Sequence, residues 1–289
     1  MGKKGKKTQA GKPKKLTPKD VGKRLNALAK NLEEELKGAD LFAPIPPAED
    51  CAICLVPLSR LKNDAMYEAC CGNEICVACY MENEASINKQ NEEKNAGKKL
   101  AFVCPFCREP NPTCFDEENA HLQARCLQND HAAFTQIGEI YRWGKYGIAK
   151  DDLKALDYFI RAVELGSPEA CGCIGISFDK GNGVTVDKER AALFYRIGAL
   201  RGNIAARHNI GNCEYKSGNR EIAIRHWKIA AEAGDQDSLN NLRKIYNADG
   251  NMPGKEFISK AYLDFAYRAC HGAQMEVKSE EREKHRSEE

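Results

Sequence analysis

The stretch that decides the fold is residues 170–202, which read ACGCIGISFDKGNGVTVDKERAALFYRIGALRG. Its turn-forming centre at 180–184 separates two segments that we predict to be helices. A similar layout recurs about every 36 residues between 132 and 275, which indicates an array of helix pairs. Three copies open with an alanine followed by an Ile-Gly pair: Ala133 with Ile137-Gly138, Ala170 with Ile174-Gly175, and Ala206 with Ile210-Gly211.

A glycine is expected to end the second helix of every unit, and an alanine precedes each of these glycines at a fixed distance. The glycines are Gly166, Gly202, Gly234 and Gly272, and the alanines are Ala155, Ala191, Ala223 and Ala261. The fourth copy is degenerate, with Ser238, Leu242 and Arg243 at its opening positions. Such a copy is expected at the end of an array, because one face of a terminal repeat meets water.

Aromatic residues are expected to fill the gaps between the closely approaching helices. They are Tyr141, Tyr158, Phe159, Phe178, Phe194, Tyr195, Trp227, Tyr246 and Phe265. The pattern resembles the Sel-one-like repeat, a relative of the tetratricopeptide repeat. This resemblance implies an α-solenoid of about four copies over 117–275 that offers a concave surface to a protein substrate or adaptor and is not itself an enzyme. We interpret His121 to Phe134 as its lead-in helix.

A second pattern, of cysteines, lies between residues 51 and 107. Eight of the fourteen cysteines form four pairs there: Cys51/Cys54, Cys70/Cys71, Cys76/Cys79 and Cys104/Cys107. Three pairs have the C-x2-C spacing with which two thiolates bind one tetrahedral Zn²⁺. The segment is too short and too charged to bury a core, so metal should supply its folding energy. A disulfide framework is the alternative, but it requires an oxidising compartment, and no secretory signal precedes it.

The order of these pairs over 49–112 resembles a RING finger. In that family the ligands interleave, which implies that Cys51, Cys54, Cys76 and Cys79 hold one Zn²⁺ and that Cys70, Cys71, Cys104 and Cys107 hold a second. Asn73 stands where the commonest RING has a histidine ligand, whereas all-cysteine members of the family place cysteines before the glycine that corresponds to Gly72. The resemblance therefore implies a zinc-stapled cross-brace followed by the helical array, a mainly α protein.

The RING resemblance also implies a ubiquitin ligase, which would bind a ubiquitin-conjugating enzyme and orient its thioester without a nucleophile of its own. Ile53 matches the apolar contact residue of active RINGs, Pro105 matches the proline of the second zinc loop, and Arg108 matches the cation that contacts both enzyme and ubiquitin. The family's tryptophan after the sixth ligand is missing, and Tyr80, Met81 or Ile87 could replace it. A non-catalytic zinc-binding scaffold is the alternative function.

The segments outside the finger and the array are charged or amphipathic. Residues 1–19 carry eight lysines and no acid, so we expect a disordered basic tail, and 276–289 should be a disordered charged tail. Between the basic tail and the finger, Thr17 should cap an amphipathic helix over 20–38. The apolar stripe of this helix is Val21, Leu25, Leu28, Leu32 and Leu36. Specific nucleic-acid binding is not expected, because no aromatic residue interrupts the lysines.

The remaining cysteines and the compartment complete the expectations. Cys171, Cys173 and Cys213 lie in predicted first helices, where buried, inert thiols are expected. A third zinc site from Cys114, His121, Cys126 and His131 is an alternative, although its spacing follows no familiar ligand pattern. No stretch is long and apolar enough for a membrane span. We therefore expect a cytoplasmic or nuclear protein.

Overall fold

The computed structural model describes residues 16–58, 65–93, 101–248 and 252–276, and most of the two predicted tails lies outside them. The protein is mainly α-helical, as predicted, with an α-solenoid preceded by a small cysteine-rich finger. The elements are α1 (Pro18–Leu36), β1 (Ala65–Glu68), β2 (Asn73–Cys76), α2 (Val77–Glu93), α3 (Phe115–Cys126), α4 (His131–Trp143), α5 (Asp152–Glu164), α6 (Pro168–Lys180), α7 (Lys188–Leu200), α8 (Ile204–Lys216), α9 (Arg220–Glu232), α10 (Gln236–Asn247) and α11 (Lys260–Glu276).

Four antiparallel helix pairs, α4/α5 to α10/α11, form the solenoid. The glycine of the Ile-Gly pair explains how closely the two helices of a unit approach. A Cβ at Gly175 would lie 2.6 Å from the ring of Tyr195, and one at Gly211 would lie 2.6 Å from the indole of Trp227. Each aromatic ring therefore rests directly on the backbone of the first helix, which only glycine permits.

The N-terminal helix α1 packs against the array and not against the finger. The Thr17 hydroxyl accepts a hydrogen bond from the Asp20 amide and caps the helix, and Pro18 is its first residue. The buried stripe of α1 joins one hydrophobic cluster with α5 and α7; its fully buried members are Val21, Leu25, Leu28 and Leu32. Ion pairs from Arg24 to Asp157 and from Arg201 to Glu35 hold the helix at its two ends.

Two details of the predicted array are wrong. His121 to Phe134 is not one helix, because the chain turns after α3, with Asn129 in the left-handed region (φ 59°) and Asp130 capping α4. Gly272 does not end a helix, because α11 continues to Glu276. The other three glycines predicted to end helices have positive φ and follow α5, α7 and α9, as expected.

The finger consists of an antiparallel hairpin, β1–β2, followed by α2. Ala65 pairs with Cys76 and Glu68 pairs with Asn73 at the two ends of the hairpin. The hairpin packs against α3 and α4, where Ala69 shares a buried cluster with Leu122 and Ala133. Within the described residues, no helix combines the length and the apolar character needed to cross a bilayer.

Candidate metal centres and partner surface

Two groups of four cysteines come together in the finger. The first consists of Cys51, Cys54, Cys76 and Cys79, and the second consists of Cys70, Cys71, Cys104 and Cys107. Within each group, the four Sγ atoms lie within 4.8 Å of one another. The first and third pairs thus form one cluster and the second and fourth pairs form the other, the interleaved arrangement that the RING resemblance implied.

The two C-x2-C knuckles at residues 51–54 and 104–107 have matching backbone geometry. The residue after each second cysteine, Leu55 or Arg108, is in the left-handed region, with φ of 57° and 64°. Its amide donates to the carbonyl of the first cysteine at 3.0 Å in both knuckles. The first cysteine's amide donates to Val56 in one knuckle and to Glu109 in the other, at 2.8 Å in both. The tight turn brings both thiols of a knuckle to one side.

The distances between the sulfur atoms fit zinc. Tetrahedral Zn²⁺ with Zn–S bonds of about 2.3 Å separates its sulfur ligands by about 3.8 Å. Cys54 and Cys76 are 3.8 Å apart, Cys71 and Cys104 are 3.9 Å apart, and Cys70 and Cys107 are 3.4 Å apart. A disulfide needs about 2.0 Å between sulfur atoms, and every cysteine is a free thiol. Both clusters can hold metal ions and are compatible with zinc.

The electrostatics of the clusters also favour a cation. Burial acts to raise the pKa of Cys51, but backbone amides, including those of Cys76 and Ile53, lower it to about 7. Burial raises the pKa of Cys70, and the nearby thiols of Cys107 and Cys104 raise it further. Four crowded thiols cannot all ionise without a counter-charge, and a divalent cation supplies that charge.

The alternative third site does not form. Among the residues that the structure describes, no group containing Cys114, His121, Cys126 and His131 has its ligand atoms close enough to hold an ion. Cys126 instead packs at the edge of the cluster around Leu122, where burial raises the pKa of its thiol to about 11. Cys171 is buried in α6, and burial raises the pKa of its thiol to about 12, as suits an inert core thiol.

The three predicted contact residues lie on the two knuckles. The side chain of Ile53 is 41% exposed, that of Pro105 is half-buried, and that of Arg108 is exposed. The Arg108 guanidinium donates to Asn83 Oδ1 on α2 at 3.3 Å, and the Asn83 amide donates to the Val103 carbonyl at 2.8 Å. Asn83 therefore links α2 to the second knuckle.

Sequence reasoning missed part of the apolar surface of the finger. Leu55 is 74% exposed and Phe106 is 50% exposed, one on each knuckle. Of the three candidates for the missing tryptophan, Met81 is 60% exposed, whereas Ile87 is buried and Tyr80 packs on the finger core. The exposure of Phe106 could have been predicted from the sequence. Phe106 occupies the same position in the knuckle at 104–107 as Ile53 does in the knuckle at 51–54, and a knuckle turns this side chain outward.

The solenoid has one occupied face. Helix α1 contacts α5 and α7, which are second helices of their pairs, and the Phe42 ring beyond it packs at a tilt against His226 of α9. The first helices α8 and α10 are joined by side-chain hydrogen bonds: Asn241 donates to Asn212 at 3.2 Å, and His208 bonds the buried Ser238 at 2.8 Å.

Comparison with known proteins identifies the repeats. A family model described as the Sel1 repeat matches residues 135–167, 172–203 and 205–235, so these three segments are Sel1 repeats, as predicted. The finger lies outside these matches. Chitin synthase regulatory factor 4 of Schizosaccharomyces pombe is 27% identical over 132 residues, which are 45% of this chain and 21% of that protein. The match therefore spans about a fifth of that relative's length.

Two solved structures are similar to the array. A Sel1 repeat protein from Oxalobacter formigenes is 28% identical, with a TM-score of 0.47 over 55% of this chain and 64% of that chain. The c5321 antigen of uropathogenic Escherichia coli is 23% identical, with a TM-score of 0.44 over 53% of this chain and 33% of that chain. Because Sel1 repeats stack into a surface that binds proteins, the array is a protein-interaction scaffold.

Proposed function

We propose that this chain is a RING-type ubiquitin ligase that holds a ubiquitin-charged conjugating enzyme on its finger and a protein substrate or adaptor on its Sel1 repeats. The observation that carries the proposal is the interleaving of the cysteine clusters, first pair with third and second with fourth. This is the ligand order of the RING family. The proposal includes a reducing compartment, the cytoplasm or the nucleus, because cysteine pairs that bind metal persist as thiolates where disulfides do not form.

The proposed mechanism needs no nucleophile from this chain. A lysine amine of the substrate attacks the ubiquitin thioester on the conjugating enzyme, so an amide bond forms, the carbon–sulfur bond breaks and the enzyme's thiolate leaves. The finger contributes orientation of the thioester. The exposed side chain of Ile53 and the half-buried Pro105 contact the conjugating enzyme, and Arg108 donates its planar fork to enzyme and ubiquitin together. Its 3.3 Å bond to Asn83 is long enough to exchange for these acceptors.

The second candidate function is a non-catalytic scaffold in which the finger is a metal-stapled binding module. The Arg108 contact with Asn83 and the missing tryptophan after the sixth ligand favour it. The fission-yeast relative is a chitin synthase regulatory factor, and a regulatory adaptor role agrees with this second candidate. Both candidates use the repeats in the same way and differ only in what the finger does.

Ubiquitin discharge onto free lysine separates the two candidates. The full chain, loaded with Zn²⁺, is mixed with a panel of charged conjugating enzymes beside its Arg108→Ala variant. Discharge that the chain accelerates, and that Arg108→Ala reduces by about 10-fold or more, is expected, because one orienting contact is lost. Arg243→Ala, an exposed arginine of α10, is the matched control and should discharge like the wild type. No acceleration with any conjugating enzyme from protein that retains both metals would leave the scaffold as the function.

A further inference from the structure

The finger hairpin is attached to the first repeat by contacts that bracket two metal ligands. On one side of Cys70 and Cys71, the Tyr67 hydroxyl donates to Asp130 Oδ2 at 2.7 Å. On the other side, Gly72 has a φ of +74°, and a Cβ placed there would lie 2.0 Å from Nη2 of Arg125. The Arg125 guanidinium therefore rests against the Gly72 backbone, a position that only glycine can occupy.

Asp130 fixes this guanidinium. Its Oδ2 accepts from Nε of Arg125 at 3.0 Å and from Nη2 at 2.9 Å, and both side chains are largely buried. Asp130 Oδ1 also accepts from the amides of Ala132 and Ala133, so the same carboxylate caps α4. The Asp130 carboxylate thus joins β1, α3 and α4, and both of its oxygens accept hydrogen bonds.

The adjacency of Cys70 and Cys71 restricts the backbone of the turn that contains them. Successive side chains of an extended chain point to opposite sides, so Cys70 and Cys71 can reach one ion only in a tight turn. The turn is closed by the Glu68 carbonyl, which accepts from the Cys71 amide at 3.2 Å and from the Gly72 amide at 2.7 Å. The first metal cluster has no adjacent pair of ligands, so it places no such demand on its backbone.

We propose that Arg125 of α3 and Asp130, which caps α4, are positioning residues of the second metal cluster and make its metal retention depend on the α3–α4 corner. They hold the Cys70-Cys71 turn through Gly72 and Tyr67, which flank the two ligands along the chain. The inference rests on metal binding by the finger and not on ubiquitin transfer, so it stands or falls separately from the ligase proposal. By thermodynamic reciprocity, metal in the second cluster stabilises the α3–α4 corner in turn.

The test measures the two clusters separately. The full chain with two Zn²⁺ is equilibrated with increasing chelator, free thiols are alkylated, and peptide mapping reports Cys51 and Cys54 for the first cluster and Cys104 and Cys107 for the second. Loss of an outer contact to a metal ligand costs about 10- to 100-fold in metal affinity. Arg125→Met should therefore lower the chelator midpoint of the second cluster by about this factor and leave that of the first cluster in place.

Two further variants control for folding. Arg190→Met removes an ion-paired arginine from α7, away from the finger, and should leave both midpoints unchanged. Arg125→Lys keeps the charge but has no planar fork, so it should give an intermediate shift of the second midpoint alone. Equal shifts of both clusters in Arg125→Met, or no shift of either, would overturn the proposal, and circular dichroism checks that the helices are retained.

Hydrogen exchange tests the reciprocal direction in the wild-type chain. Chelation of the second metal should speed exchange of amides in α3 and at the start of α4, because Asp130 loses its fixed partner Tyr67 on the hairpin. Amides of α8 and α9, helices that pack with α7 and α10, should exchange at the same rate with and without metal. Unchanged exchange in α3 after complete metal removal would contradict the coupling.

Discussion

The His226 side chain lies on α9 beneath the segment that follows α1. It is 1% exposed, and its ring centroid is 4.8 Å from that of Phe42. Neither ring nitrogen has a hydrogen-bond partner among the residues that the structure describes. Burial, followed by the charge of Arg207, lowers the pKa of His226 to about 4 from 6.5; Arg196 and Arg225 act in the same direction and Glu214 opposes them. Protonation of His226 should therefore destabilise the folded array.

The size of the effect follows from linkage. A base whose pKa is lower in the folded chain than in the unfolded chain binds fewer protons when folded, so stability falls as pH decreases from 6.5 toward about 4. The penalty is small at neutral pH and comes to about 0.8 kcal/mol near pH 6 and about 2 kcal/mol near pH 5. His226→Leu keeps a similar volume and removes this dependence.

Urea unfolding followed by circular dichroism measures the effect. The free energy of unfolding is determined for the wild type and for His226→Leu at several pH values between 8 and 5, and the difference between the two proteins is taken at each pH. This difference cancels the pH dependence of the metal clusters, which both proteins share. We expect the free energy of unfolding of His226→Leu, relative to that of the wild type, to be about 2 kcal/mol higher near pH 5 than at pH 8. A difference that stays constant with pH would refute the reasoning.

Two further substitutions test the packing of the array by thermal unfolding. Leu25→Ala empties a fully buried site between α1 and the second helices and should cost about 2–5 kcal/mol, whereas Lys30→Ala on the exposed side of α1 should be close to neutral. Equal effects of the two would mean that α1 contributes no core. Gly175→Ala places a Cβ 2.6 Å from the Tyr195 ring and should cost about 1–3 kcal/mol. A Cβ at Gly22 meets nothing within 4 Å, so Gly22→Ala should stabilise α1 by about 0.5–1 kcal/mol. An increase in stability from Gly175→Ala as well would contradict the close approach of α6 and α7.

The array was predictable because the contacts between its paired helices follow from the spacing of residues along the chain. An Ile-Gly pair in one helix and an aromatic residue in the next must meet when the two helices pair, as Gly211 and Trp227 do. The end of α3 was not predictable from the sequence, because the residues between His121 and Phe134 are compatible with one continuous helix. Only the turn at Asn129 and the multiple bonds of Asp130, one of them to a strand 63 residues earlier, break that helix. Such long-range contacts leave no periodic trace in the sequence.

The ligand sets were also accessible from the sequence, because the two C-x2-C knuckles each fix their own turn and the resemblance supplied the interleaving. The environment of the second cluster was not accessible. Nothing in the spacing of Cys70, Cys71 and Gly72 indicates that Arg125 from another element rests on this turn. Likewise, the sequence indicated which residues of α1 are apolar but left open whether they face the finger or the repeats.

The sequence by itself therefore determined the helix pairs, the eight cysteines that can hold metal and the amphipathic face of α1, since each depends on residues near one another along the chain. Only the tertiary structure decided that α1 covers the second-helix side of the array, that His226 is buried under Phe42, and that the hairpin with Cys70 and Cys71 is clamped to the first repeat. Those arrangements depend on surfaces that meet only after the chain has folded, and their free energy comes from burial and hydrogen bonds between distant segments.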